Sequence, residues 1–239
     1  MTDNLTAQQI TAATKESRSS ESVLRLTRIV SHQNADLEEV AKIVAEDEVL
    51  TARLLRAANP RALCVSEYAI TTVEAALMRG GIGCAFLVAM TDPLFSAVKR
   101  AFRVLVGQEL EDVAPGILSP LDFEHVVAEA DFEGKASGCV KLRIAPACAA
   151  AVTCAFLQEP VQDLALVDDF IGELAEIVAG NFESNLCDAG LTCALSPPRI
   201  SHTDVYALHS EDFCLAERTA FRGESIKVFV DVLIDPWSR

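Results

Sequence analysis

The chain has 239 residues, 51% of them hydrophobic, and its 35 acidic against 20 basic side chains give a formal net charge of -15. That balance supplies a core for one large or two small domains and sets the chain against nucleic acid and anionic membrane surfaces, whose phosphates need clustered Lys and Arg. Residues 1–22 lack the basic, apolar and small-residue order of a secretory leader, and the apolar runs 80–90 and 145–157 fall short of the roughly 18 residues that cross a bilayer, so a cytoplasmic protein is expected.

Residues 1–18 read as a polar tail, and from Ser19 to about Met90 apolar residues recur at helical spacing. Val23, Leu26, Thr27 and Val30 fit one helix; Leu37, Val40, Ala41 and Val44 fit a second that Asp36 caps. A third runs from Asp47 to Asn59 and is closed by Pro60, which disfavours helical geometry in the residue before it. Thr71 or Thr72 starts a fourth, with Glu74 in its first turn, and Gly80, Gly81 and Gly83 interrupt before the last apolar piece. These segments form a small all-α domain, 19–91.

At Asp92-Pro93 an N-cap residue precedes a proline suited to the first helical position, which predicts a new helix and a second unit, 92–239. Its leading helix runs from Leu94 to about Val106, followed by a loop through Pro115, Gly116 and Pro120. Strands are expected at about Phe123 to Phe132 and Gly138 to Ile144, joined by a turn through Gly134 to Gly138. Pro146 opens an alanine-rich helix, and a long helix runs from Asp163 to about Leu186. Strands near Val205 to Leu208 and Asp212 to Phe221 precede a last one, Ser225 to Ile234, where Ile226, Val228, Val230, Val232 and Ile234 alternate with polar neighbours. The fold class is α+β, an antiparallel sheet packed against long helices behind the all-α domain.

Eight cysteines form no CxxC pair, and several stand in apolar runs, as in GIGCAFLV and AVTCAFL, so they read as reduced core thiols and no metal site is expected. His32 and Asp47 lack an adjacent His-Asp pair; Gly80-Gly81-Ile82-Gly83 lacks the Lys-Ser/Thr of a phosphate loop. His125, His202 and His209 show no Ser or Cys placed as a nucleophile and read as ordinary histidines.

The long helix carries DFIGELAEIVAGN, residues 169–181. Helical spacing puts Asp169, Glu173, Glu176, Gly180 and Glu183 on one stripe, with Phe170, Leu174, Ile177 and Val178 directed to the core. Like charges so placed cost an isolated helix only about 0.2–0.5 kcal/mol per pair, so a solvated acidic face tolerates them without any function.

With that motif, the strand GCVKLRIA, the helix ELAEIVAGNFESNL and the SPP that follows, residues 92–239 resemble the CheC/CheX family of chemotaxis phosphatases. The family signature is Asp or Ser, three residues, Glu, two residues, Asn, and a proline about twenty-two residues beyond; Asp169, Glu173 and Pro198 fall in register, and Glu176 stands at the Asn position. The resemblance implies a CheX-like fold, a CheY-like response-regulator receiver domain as partner, and that partner's aspartyl phosphate and magnesium ion as substrate, with no cofactor in this chain. It makes Glu173 the residue that engages the partner's lysine and position 176 the one that orients water, with Asp169, Gly180 and Pro198 in the binding surface.

An amide offers a donor and an acceptor, whereas a carboxylate is acceptor only and adds charge beside phosphoryl oxygens. The expected protein therefore binds a receiver domain with weakened or lost phosphatase activity. Two other readings stay open: an active aspartyl-phosphate phosphatase in which Glu176 positions the water, and a structural module like the flagellar switch components. In the latter, the terminal strand Ser225 to Ile234 sits at a sheet edge and pairs with a second copy.

The stretches AEDEVLTARLLRAANP and TTVEAALMRGGIGCAFLV, within 19–91, resemble part of an HDOD module, a regulatory relative of the HD phosphohydrolases without their metal ligands.

Overall fold

The computed structural model describes residues 21–26, 28–29, 36–59, 69–113, 124–135, 137–188, 190–203 and 215–234. Residues 21–26, 28 and 29 are helical, and four helices follow: α1 (Leu37–Glu46), α2 (Glu48–Ala58), α3 (Val73–Gly80) and α4 (Ile82–Ala101). Their starts follow local chemistry. Asp36 accepts from the Glu38 amide, Asp47 from Val49 and Leu50, and Thr72 from Ala75, each satisfying a first-turn N–H that has no partner within its helix. Pro60 lies outside the described residues; what closes α2 is Asn59, whose side chain donates to the carbonyls of Leu55 and Ile70 and accepts from the Ile70 amide.

No helix begins at Asp92. Residues 91 to 93 lie inside α4, which starts from Gly81 at φ 79°, so the capping role read for Asp92 and Pro93 is corrected. A proline inside a helix costs about 3 kcal/mol because it has no N–H to donate. Burial on both sides of it offsets this: Ala85, Phe86, Val88, Ala89 and Met90 precede the proline in the core, and Leu94, Val98 and Ala101 follow it. One π-helical turn, Phe102–Val106, then leads to Gly107 in the left-handed region.

The sheet is antiparallel throughout, in the order β1 (Glu111–Val113), β6 (Leu215–Arg222), β7 (Lys227–Ile234), β3 (Gly138–Ile144), β2 (His125–Gly134), β4 (Cys193–Leu195), with β5 (Arg199–Thr203) also paired to β2. The expected β2–β3 hairpin is present. Gly134 at its end is required by close approach, since a Cβ there would meet the Thr192 carbonyl oxygen at 2.5 Å. The terminal strand is not an edge: β7 is hydrogen-bonded to β3 on one side and β6 on the other, which corrects the expectation that it waits for a second copy. The strand read at Val205 to Leu208 lies outside the described residues.

Between β3 and β4 come α5 (Pro146–Leu157), with its proline in the first turn, and α6 (Leu164–Asp188). One hydrophobic core unites the whole: Leu26, Val44 and Leu54 from the first helices, Phe86 and Leu94 from α4, Leu174 and Phe182 from α6, and Val140, Leu142, Val228 and Val230 from the sheet. The opposite face of the sheet holds a smaller cluster, Val113, Ala220 and Phe229. Beside it lies a buried ion group, in which Arg143 Nε is 2.9 Å from one Asp231 oxygen and Arg218 Nε donates to the other at 2.7 Å.

Candidate functional site

Helix α6 begins where Asp163 accepts from the Ala165 amide at 2.9 Å. Val167, Phe170, Ile171, Leu174, Ala175, Val178, Ala179, Phe182 and Leu186 are buried, a three-and-four spacing that fastens one side of the helix to the sheet and to α4. The helix therefore has no freedom to rotate, and its outer face is fixed. Asp169, Glu173 and Glu176 are exposed on that face, and Gly180 and Glu183 continue it half-buried. Ile177 departs from its expected place: it is 41% exposed, because the inner side is already filled by Leu174, Ala175 and Val178.

The two flanks of this ridge are occupied. On one, β5 lies alongside: Ile200 approaches Gly172 closely enough that a Cβ there would sit 3.7 Å from its Cδ1, and His202 Nε2 is 3.0 Å from an Asp168 carboxylate oxygen. Pro198 is half-buried just before β5 and so stands on this side. On the other flank, Asn181 accepts from Arg100 of α4 at 3.0 Å and donates to the Ile177 carbonyl at 2.7 Å. Both ends of that amide are engaged, its oxygen by the neighbouring α4 and its nitrogen by α6 itself, so the nearest asparagine is unavailable to stand in for the amide absent at position 176.

Among the described residues, no cation or hydrogen-bond donor meets the carboxylates of Asp169, Glu173 or Glu176. What the ridge presents to a partner is acceptor-only negative charge on a rigid helix. On the sheet, by contrast, two carboxylates are compensated. Glu129, Asp131 and Cys139 gather ligand atoms within 4.8 Å, but Arg199 bonds both carboxylates, at 2.8 and 2.6 Å, and Lys141 pairs with Glu129. That cluster is an ion-pair network spread across β2, β3 and β5.

Sequence reasoning missed the Asp168–His202 pair, because β5 is too short and polar to be recognised as a strand. His125 is buried with its ring edge-on to Phe229, a packing role. Cys139, Cys148, Cys154, Cys187 and Cys193 are free thiols. Burial, aided by Cys187 and Glu183, pushes the Cys193 thiol up to about 11, away from thiolate reactivity at neutral pH.

Comparison with known proteins bears on both parts of the chain. Residues 126–216 match the family model for the chemotaxis phosphatase CheX, and residues 18–105 match the model for the HDOD domain, which thus takes in all of α4. No curated protein matches. Among solved structures, the chain is similar to a chemotaxis protein CheX from Desulfovibrio desulfuricans, at 18% identity and a TM-score of 0.51, over 61% of this chain and 99% of that one. It is similar to a CheC-like superfamily protein from Shewanella at 15% identity and a TM-score of 0.54, over 61% and 97%. A third is a CheX from Borrelia burgdorferi solved in complex with CheY, BeF3 and magnesium, at 20% identity and a TM-score of 0.50, again over 61% and 97%. The chain therefore has the CheX fold behind an HDOD-like helical region, as its sequence resemblances implied.

Proposed function

We propose that this chain is a chemotaxis-type signalling protein that binds a CheY-like receiver domain through the outer face of α6, with phosphatase activity weakened or lost at Glu176. The observation that carries the reading is the pair Glu173 and Glu176, exposed and without a cationic partner among the described residues, on a helix whose inner side is locked into the core. Glu173 is placed to meet a lysine of the partner. Asp169 and Gly180 share its face, and Pro198 borders it.

At position 176 a carboxylate cannot donate a hydrogen bond to a phosphoryl oxygen, and its charge opposes the build-up of negative charge there in the transition state. Magnesium enters with the phosphorylated partner. The helical residues 19–91 are, in this reading, a supporting unit for 92–239, and the site of action is the cytoplasm.

The test is the decay of a phosphorylated CheY-like receiver domain with magnesium, alone and with the native chain, Glu176→Asn or Glu173→Ala. The expected outcome is binding by the native chain with little acceleration of decay, and acceleration by Glu176→Asn. Acceleration by the native chain that Glu173→Ala abolishes would make it an active phosphatase and overturn the assignment of Glu176.

A further inference from the structure

Eight large hydrophobic side chains are exposed among the described residues, and five of them, Phe156, Leu157, Leu164, Leu166 and Ile177, belong to the end of α5 and to α6. They are not scattered as single exposed apolar residues ordinarily are. Gln158, at φ 57°, turns the chain directly after Leu157, and Phe156 stacks on Phe170 of α6 with ring centroids 4.6 Å apart, so the end of α5 lies against the start of α6. Leu166 precedes Asp169 by three residues and Glu173 by seven, which places it on the carboxylate stripe itself. Ile177 stands beside Glu176 further along. The ridge is thus a row of carboxylates continuous with an apolar corner.

Charge decides which occupant this surface fits. A second copy docked isologously would bring the uncompensated Asp169, Glu173 and Glu176 toward their own equivalents, in a chain of net charge -15. Anionic lipid is opposed in the same way. A partner whose apolar contact area adjoins a fixed cation satisfies both parts at once.

We infer that the receiver-domain contact extends from the α6 carboxylates onto the apolar corner formed by Phe156, Leu157 and Leu166. This inference rests on the receiver-binding reading above. The carboxylates set orientation and association rate, and the corner supplies the desolvated area that holds the complex together.

Leu157→Ser/Leu166→Ser in the full chain removes apolar surface without changing charge. Affinity for the CheY-like receiver domain, phosphorylated with magnesium, should fall roughly tenfold or more. The loss should persist at high salt, whereas the loss from Glu173→Ala should shrink as salt screens the ion pair. The melting temperature should stay at the native value, which separates lost contact from lost fold. Unchanged affinity in the double variant, with Glu173→Ala still weakening binding, would overturn the apolar corner and leave the receiver reading standing. A native chain that binds no receiver would overturn both, and a dimer that the double variant dissociates would reassign the corner to self-association.

Discussion

Glutamates stand at the centre of two regions treated in opposite ways. Where α2, α4 and β6 meet, Glu217 is buried with Arg53, Nε to Oε1 at 2.7 Å, and its other oxygen accepts from Thr91 at 2.6 Å; the same Arg53 reaches Thr91 and lies over the Phe95 ring. Every carboxylate oxygen there has a donor, and the group joins the helical half of the chain to the sheet. On the outer face of α6, Glu173 and Glu176 are exposed and meet no donor among the described residues. A buried charge survives only when paired and hydrogen-bonded, so compensated carboxylates mark what holds this fold together. In the proposed reading, the uncompensated ones kept on the rigid α6, at a small cost in repulsion, are those that face a partner.

The contrast is broken most severely on the buried side. Asp231→Ala would leave Arg143 and Arg218 without their shared carboxylate, and urea unfolding should show a loss of about 3–5 kcal/mol. Glu217→Ala should cost a similar amount by removing the buried carboxylate that pairs with Arg53. Replacing both partners, Arg53→Met with Glu217→Leu, should recover most of that loss, because a buried ion pair exchanged for packed apolar side chains is often close to neutral. A double replacement no more stable than Glu217→Ala alone would show that the pair specifies the seam.

Acid should reveal the same group. Burial pushes the Asp231 carboxyl up, but Arg143 and Arg218 outweigh burial and hold it below the ordinary aspartate value. The unfolded chain takes up this proton more readily than the folded one, so the stabilisation is whole above about pH 4 and fades as pH falls through the lower, folded value. A urea midpoint followed from pH 6 to pH 3 should drop less in Asp231→Asn than in the native chain.

The smallest effect on stability belongs to the ridge. Glu173→Ala should change unfolding free energy by no more than about 0.5 kcal/mol, and in the favourable direction if repulsion from its acidic neighbours dominates. The same variant should weaken receiver binding severalfold or more. A loss of stability as large as that of Glu217→Ala would place Glu173 among the structural carboxylates and end the contrast.

Much of the architecture was legible because it repeats. The β2–β3 hairpin, the alternating terminal strand, the proline that opens α5 and the face of α6 are each set by local patterns that tertiary packing reinforces. The short strands β1, β4 and β5 were not legible, since three residues, or the polar run RISHT at a sheet edge, hold no readable alternation. The seam misled for a different reason. Glu217 sits at a core-facing position of β6 and reads as a break in a strand pattern until Arg53 is brought to it, and Asp92-Pro93 has the local chemistry of a helix start that core burial along α4 overrides. The carboxylate stripe of α6 was legible from helical spacing, but the places of Ile177, Asp168 and His202 needed the neighbouring elements.

Arg53 and Glu217 are 164 residues apart in the chain, and this bears on the order in which the protein can fold as it is made. At synthesis rates of about 5–20 residues per second, the arginine waits on the order of ten to thirty seconds for its partner. Until then the helices of the first half pack around an arginine whose buried carboxylate has yet to be made, so the final packing of this seam waits for the sheet. Ribosome-bound chains halted before residue 217 should remain open to protease throughout α2 and α4, and gain protection only when β6 has emerged.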